Sequence, residues 1–427
     1  MSEMEAVVAA PGIGAEGTQP LTKKRRASEN GIAMTEMKNG IDEKARVIDE
    51  SYFASYSDIE LHRTMIEDSV RTNAYQQAIF QNMEEDIRGK VVVDVGCGTG
   101  ILSMFCAQAG AKMVYAIDAS KIAGHAKQLI EANGFKDVIT VELCSEEPIP
   151  LMSFELLLLE PSHGPGSSGA CLAKQAVAAG GLLPHILQGK AEEVELPEKV
   201  DIVVSEWMGY MLLYETMLPS VLYVRDKWLK PGGKMYPERA VLYMALGEAQ
   251  WITKYEEGTY DFWISLNHIY NLDMSLLADH AVARYKDVVH VHMVAQEDVL
   301  SLPTPVCDLN LMTITAEDLR SMSRSFTLFS MGSRRLNSMV LWFDVWFPGG
   351  LKLSTSPDNE DTHWQNTVLP LATVSLQQDT QVKGELSITQ DLINHRFLNV
   401  DLKYSVDKGE EITRCFKMDD NCNDNDF

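Results

Sequence analysis

A chain of 427 residues has room for two domains, or for one large domain with tails. Its formal net charge of -24 argues against direct nucleic-acid binding and suits basic partners. Glu3 and Glu5 precede any apolar stretch, and no apolar run approaches the ~18 residues needed to span a bilayer; the expectation is a soluble intracellular protein without membrane contact.

Residues 1–48 are rich in Ala, Gly, Glu and Lys without a sustained apolar period, the pattern of a disordered tail. Within them Lys23-Lys24-Arg25-Arg26 forms a dense basic cluster, which reads either as a nuclear-import signal or as a solvated charge run. From Tyr52 to Met83 apolar and charged residues recur at helical spacing, predicting one or two amphipathic helices. Val91-Val92-Val93 predicts a buried strand, Leu102 to Ala109 a helix, Met113 to Ile117 a second strand and Lys121 to Asn133 a second helix. That alternation predicts a doubly wound parallel sheet. Val200 to Val204 reads as a later strand, with Glu206 just past its C-terminal end, where such sheets bind ligands. Pro231-Gly232-Gly233 marks a turn, after which runs such as Val340 to Phe347 predict a mostly β second domain. Residues 247–279 read as helical and carry Trp251, Tyr255, Tyr260, Phe262 and Trp263, which either pack on their own barrel or form a partner-binding arm. Residues 418–427 are Asp- and Asn-rich and predict a frayed acidic tail. Seven cysteines form no CxxC pair, so free thiols in a reducing compartment are expected, and no metal site.

Two stretches carry chemistry. In Val91 to Gly100 three glycines, Gly96, Gly98 and Gly100, follow a strand and open a helix, and glycine lets backbone approach a ligand closely. Asp94 ends that strand and Asp118 ends the next, where a carboxylate holds ribose hydroxyls. A nicotinamide enzyme wants the second acid too, but the spacing is G-x-G-x-G, and Asp94 has no place in a pyrophosphate cradle. S-adenosylmethionine carries no pyrophosphate, and its amino group needs a partner such as Asp94. The second stretch, Ser205 to Glu215, is framed by Glu206 and Glu215. Paired carboxylates suit a planar cation with several N–H donors, and the guanidinium of arginine is that cation.

With these residues, Tyr52-Phe53-Ala54-Ser55-Tyr56, the run His62 to Tyr75 and Thr362-His363-Trp364 stand in one order, and on that pattern the chain resembles the type I protein arginine N-methyltransferases. The resemblance covers about residues 50–141 and 187–417. It implies an α/β fold: a Rossmann-like methyltransferase domain at 49–230, then a β-barrel-like substrate domain at 231–417 with a helical dimerisation arm at 247–279. It implies S-adenosylmethionine as cofactor, with Arg71 on its carboxylate, Asp94, Gly96 and Gly98 at its amino-acid part, His62 and Asp118 at ribose, Glu192 at the adenine amino group and Met65 beside the sulfonium. Methionine at that position, and the threonine-histidine-tryptophan loop, go with asymmetric dimethylation. Glu206 and Glu215 are the expected catalytic pair, with Asp68 and His363 in support; Glu215 or the Asp68–His363 pair would accept the departing proton. Bland alternatives stand beside these roles: Glu206 and Glu215 as helix-cap or surface acids, His363 as a bridge between domains, Met65 as core, Tyr52 and Tyr56 as packing residues. Substrates would be histone tails and Arg/Gly-rich segments, the assembly a homodimer, the location the nucleus and also the cytoplasm.

The chain departs from the family at 142–186, about 45 residues inserted between Val141 and Leu187. Loop length costs only about 0.6 kcal/mol per doubling, so register is the greater danger. If the strand pairs through Ile186-Leu187, then Ile139 to Val141 are expected to leave the sheet or pair elsewhere, with Leu182 to Ile186 able to rebuild the strand's first half. The segment is either a genuine lineage or isoform insertion, or retained intronic sequence or a faulty gene model. A catalytically impaired form that still dimerises or binds partners is therefore the alternative to an active enzyme.

Overall fold

The structure is a computed structural model that describes residues 44–143, 187–188 and 190–423. The basic cluster at 23–26, Leu182 to Ile186 and residues 424–427 lie outside the described residues. Val91–Val95 (β1) is buried along its whole length, as a strand covered on both faces must be. Met113–Asp118 (β2) pairs with it in parallel on one side and Val200–Val204 (β6) on the other. Helices Ile101–Gln108 and Ala123–Ala132 lie where the periodicity predicts them. N-terminal to the sheet, helices Ile59–Glu67 and Ser69–Gln81 follow the helical spacing of that region.

The edge strand is assembled from two pieces of chain. Ile139–Thr140 (β3) pairs with β2 at Val114 and Tyr115, and Leu187–Gln188 (β5) pairs with β2 at Ile117 and Asp118. Glu142–Leu143 (β4) steps outward and pairs with β5. The expectation that Ile139 to Val141 would leave the sheet or pair elsewhere is thus corrected: Ile139–Thr140 keep the lower half of the strand, and Leu187–Gln188 take over the upper half. By count, Val141 falls opposite Ala116 and Leu187 opposite Ile117, so the two pieces are in phase as one strand. The phase is set by burial, since Ile139 and Val141 both point into the core and a one-residue slip would turn them out.

Leu229–Tyr236 (β7) closes the other edge, giving the order β4-β5-β2-β1-β6-β7 with β3 beside β2. The expected turn at Pro231-Gly232-Gly233 is an irregularity inside β7. Lys234 to Tyr236 resume parallel pairing with Ile202 to Val204, so the sheet does not end there.

The remainder is antiparallel. One sheet holds Arg239–Gly247 (β8), His290–His292 (β9), Thr304–Asn310 (β10), Arg335–Trp346 (β12), Lys352–Ser354 (β13) and Asn366–Ser375 (β14). The other holds Ser321–Phe329 (β11), Gln381–Gln390 (β15), Leu398–Val406 (β16) and Ile412–Met418 (β17). Gly247 ends β8; the helices that follow are Gln250–Tyr270 and Leu276–Lys286, so the helical segment runs past residue 279. The aromatic residues there divide. Trp251 stacks on His292 and Tyr255 on Tyr285, while Phe262, Ile269, Tyr270 and Leu276 are exposed. After β17, Asp420–Asn423 form a short 3-10 turn. Among the described residues no helix is long and apolar enough to cross a membrane.

Candidate active site

The glycine turn between β1 and its helix is tight because it has to be. Gly96, Gly98 and Gly100 all lie at positive φ, which side chains with a Cβ rarely adopt. A Cβ on Gly96 would strike Met217 Cε, and one on Gly98 would come 3.0 Å from His62 Cε1. His62 is buried against this turn, its Nε2 2.9 Å from the Tyr56 carbonyl oxygen. Asp118 accepts hydrogen bonds from Gly98 N (2.8 Å), Ser120 N (2.8 Å) and Ser120 Oγ (2.6 Å).

Asp94 is fully buried. Its Oδ2 accepts from Ser103 Oγ at 2.7 Å, whereas Oδ1 has no hydrogen-bond partner. Burial, only partly offset by Ser103 and reinforced by the negative charge of Asp118, pushes the carboxyl up to about 7. A buried acceptor without a donor is costly, so this atom marks a place for a cationic or N–H-bearing group. The residues fit the amino end of an adenosyl amino acid.

Asp68 sits between the two N-terminal helices and serves both neighbours. Its Oδ1 caps helix Ser69–Gln81 by accepting from Arg71 N (2.9 Å). Its Oδ2 accepts from His363 N (2.9 Å) and lies 2.7 Å from His363 Nδ1, tying in the loop before β14. Burial opposes ionisation of Asp68, but the bonds from His363 and from the Arg71 backbone outweigh it and hold the carboxyl below its usual range. Arg71 then reaches the first glutamate. Its Nε and Nη2 donate to Glu206 Oε2 at 2.9 and 2.7 Å, and Nη1 to the Met65 carbonyl at 3.0 Å. Both side chains of this ion pair are largely buried.

The segment from Glu206 to Glu215 folds back on itself. Gly209 N donates to Leu212 O, and a Cβ on Gly209 would collide with the Tyr214 carbonyl. Met211, Leu212, Glu215 and Thr216 all have positive φ. Tertiary bonds anchor the loop: Tyr75 Oη donates to Ser205 O (2.9 Å), and Trp364 Nε1 to Met208 O (2.9 Å). The Glu215 carboxylate accepts from Tyr56 Oη at 2.6 Å. Burial raises its pKa, against the pull of Tyr56, Tyr52 and Arg396 and with the help of Glu206's charge.

The structure therefore brings Glu206, Arg71, Met65, Asp68 and His363 into one bonded chain, and Asp94, Gly96, Gly98, Asp118 and His62 around one turn. Glu192 stands apart; it is exposed and accepts from Ser220 Oγ at 2.7 Å. Sequence reasoning missed Ser103, Ser220, Met217 and Arg396. Ser103 follows Asp94 by nine residues with no motif to mark it, and Arg396 reaches Glu215 from a distant turn between strands.

Comparison with known proteins shows what the chain is similar to. Residues 238–410 match the family described as arginine methyltransferase oligomerization subdomain, and residues 38–156 match ribosomal protein L11 methyltransferase (PrmA). The chain is 39% identical to protein arginine N-methyltransferase 6 of Danio rerio, covering 88% of this chain and 97% of that one. It is 38% identical to protein arginine N-methyltransferase 6 of Xenopus tropicalis, covering 87% and 95%. Among solved structures, the Trypanosoma brucei PRMT1 enzyme-prozyme heterotetrameric complex with AdoHcy superposes with a TM-score of 0.68 at 29% identity, over 86% of this chain and 100% of that one. A crystal structure of PRMT6-SAH superposes with a TM-score of 0.58 at 27% identity, over 82% and 100%. The chain belongs to the protein arginine N-methyltransferase family.

Proposed function

We propose that this chain methylates arginine side chains of proteins, histone tails and Arg/Gly-rich segments among them, and carries the reaction to monomethyl and asymmetric dimethyl arginine. The observation that carries the reading is that Glu206 and Glu215 share one loop past the C-terminal end of β6, with Met217 just beyond them against Gly96 of the glycine turn. S-adenosylmethionine supplies the methyl group when bound. Asp94 Oδ1 would hold its amino group, Arg71 its carboxylate, the Gly96–Gly98 backbone the adjoining chain, Asp118 and His62 the ribose, Glu192 the adenine amino group, and Met65 would flank the sulfonium.

The chain's own residues then act on the substrate. Glu206 and Glu215 grip two sides of the guanidinium and draw its positive charge toward themselves, so that the remaining nitrogen keeps its lone pair for attack. The grip also fixes that nitrogen at reacting distance. Asp68 and His363 hold the loop before β14 against the helix that bears Arg71, and the departing proton passes to Glu215 or to that pair. Glu215 suits the acceptor role because burial raises its affinity for a proton.

The domain division follows the same reading: a cofactor domain at 49–230 interrupted at 142–186, a substrate domain at 231–417, and an arm whose exposed Phe262, Ile269, Tyr270 and Leu276 would meet a second copy. A nuclear location follows from the basic cluster at 23–26. The test is methyl transfer from labelled S-adenosylmethionine to a histone-tail peptide by the intact chain and by Glu215→Gln. Transfer by the intact chain, lost in Glu215→Gln with S-adenosylhomocysteine affinity unchanged, supports the reading. An intact chain that binds S-adenosylhomocysteine but transfers nothing favours the catalytically impaired, partner-binding alternative.

A further inference from the structure

The strained backbone at the second glutamate is held from outside its own loop. Glu215 has φ of +70° and Thr216 of +50°, and neither is glycine. A non-glycine residue in this region is strained and persists only when its surroundings over-determine it. The turn between β15 and β16 provides that determination. Glu215 N donates to the Arg396 carbonyl at 3.0 Å, and Arg396 Nη1 donates to the Glu215 carbonyl at 2.9 Å. One residue along, Thr216 Oγ1 donates to the His395 carbonyl at 2.8 Å. The turn is itself rigid, because Asp391 Oδ1 accepts from both Ile393 N and Asn394 N at 2.8 Å, and Asn394 Oδ1 accepts from Arg396 N at 3.0 Å.

The Arg396 side chain does more than cap a carbonyl. Its guanidinium carbon lies 3.7 Å from the centre of the Tyr52 ring and 5.3 Å from that of Phe53. A planar cation on an aromatic face gains both electrostatic and packing energy. Tyr52 in turn packs on Tyr56, whose hydroxyl donates to Glu215. Arg396 therefore meets Glu215 by two routes, through the backbone and through the tyrosine pair.

We propose that Arg396 is a positioning residue for arginine methylation, setting the backbone conformation and the electrostatic surroundings of Glu215. The proposal rests on Glu215 being a carboxylate that grips the substrate guanidinium. The groups facing that carboxylate are Tyr52 and Tyr56 from the N-terminal segment, Glu206, Tyr210 and Tyr214 from its own loop, and Arg396 from the β15–β16 turn. Arg396 supplies positive charge against the burial and the Glu206 charge that favour protonation. Glu215 must be ionised to hold a cation, so without Arg396 the enzyme needs a higher pH to reach the same rate.

The experiment measures kcat/KM against pH for a histone-tail peptide, using the full chain as wild type, Arg396→Gln, Arg396→Lys and Glu215→Gln, together with S-adenosylhomocysteine affinity and thermal unfolding. Arg396→Gln keeps a donor for the Glu215 carbonyl but loses the charge. It is expected to lower kcat/KM near neutral pH by about 10- to 100-fold, the effect of one charge-assisted hydrogen bond, and to move the acid limb upward by about one pH unit, with S-adenosylhomocysteine affinity unchanged. Arg396→Lys keeps the charge but not the planar fork, so its acid limb stays and its kcat falls less. An acid limb unmoved in Arg396→Gln overturns the proposal, as does activity lost only in step with S-adenosylhomocysteine affinity. Should the glutamine variant unfold, a folded lysine variant with wild-type kcat overturns it as well. If Glu215→Gln methylates as well as wild type, the reading of Glu215 fails first; if only Arg396→Gln is silent, the positioning role alone falls.

Discussion

Asp94→Asn separates the two costs carried by the most deeply buried carboxylate of the site. A carboxyl raised from 3.8 to about 7 is disfavoured in its charged form by about 4 kcal/mol. The native state holds the proton more tightly than the unfolded chain, so the ligand-free protein is least burdened below about pH 4 and loses stability as pH rises toward about 7. Integrated with these two values, the loss between about pH 5 and about pH 8 comes to about 3 kcal/mol. Asparagine removes that pH-dependent part. It keeps an acceptor for Ser103 but places an amide N–H₂ where Oδ1 has no partner, at a cost of about 1–3 kcal/mol. The variant should therefore match or fall below wild type near pH 5 and exceed it near pH 8, in thermal unfolding of the ligand-free protein. Saturation with S-adenosylhomocysteine reverses the order. At a hundredfold excess over Kd the wild type gains about 3 kcal/mol, whereas the variant, lacking the carboxylate for the amino group, gains little. A difference between the two proteins that is equal at both pH values would refute the buried-charge argument. An equal gain from S-adenosylhomocysteine would refute the assignment of Oδ1.

Joining Val141 directly to Leu187 should leave a continuous edge strand, since the two pieces pair with β2 in one phase. The shortened chain is expected to unfold no earlier than the full one and to keep methyl transfer; a cooperative unfolding temperature lowered by the deletion would mean that β4 is a needed edge. Arg71→Met leaves the buried Glu206 charge unpaired and should destabilise by about 3–5 kcal/mol. Adding Glu206→Gln should recover part of that loss, and a double-mutant cycle by thermal unfolding that closes additively would show the pair to be uncoupled.

Much of the fold was legible because its signals are local. The Val91 to Val95 run, the positive-φ glycines and the helical period after Tyr52 each state a backbone preference within a few residues. Local signals alone place Asp94 near a strand end and Glu206 just past one. The resemblance supplied roles for Asp68 and His363, which lie 295 positions apart yet share Asp68 Oδ2. What sequence could not reach was what depends on two remote backbones meeting. The pairing of Ile139 to Val141 was misjudged, because whether Ile139–Thr140 or the residues before Leu187 pair with the lower half of β2 is a competition settled by burial of Ile139 and Val141. Likewise no local pattern distinguishes Arg396 from any other arginine in a turn. By itself the sequence determined which residue types stand in the glycine turn and which carboxylates frame the 206–215 stretch, since that is a matter of side-chain chemistry and local backbone freedom. Only the tertiary structure decided that Arg71 closes on Glu206, that Asp94 keeps one oxygen without a partner, and that a barrel turn holds Glu215 in its left-handed conformation, because each is a distance between segments whose order along the chain says nothing about their separation in space.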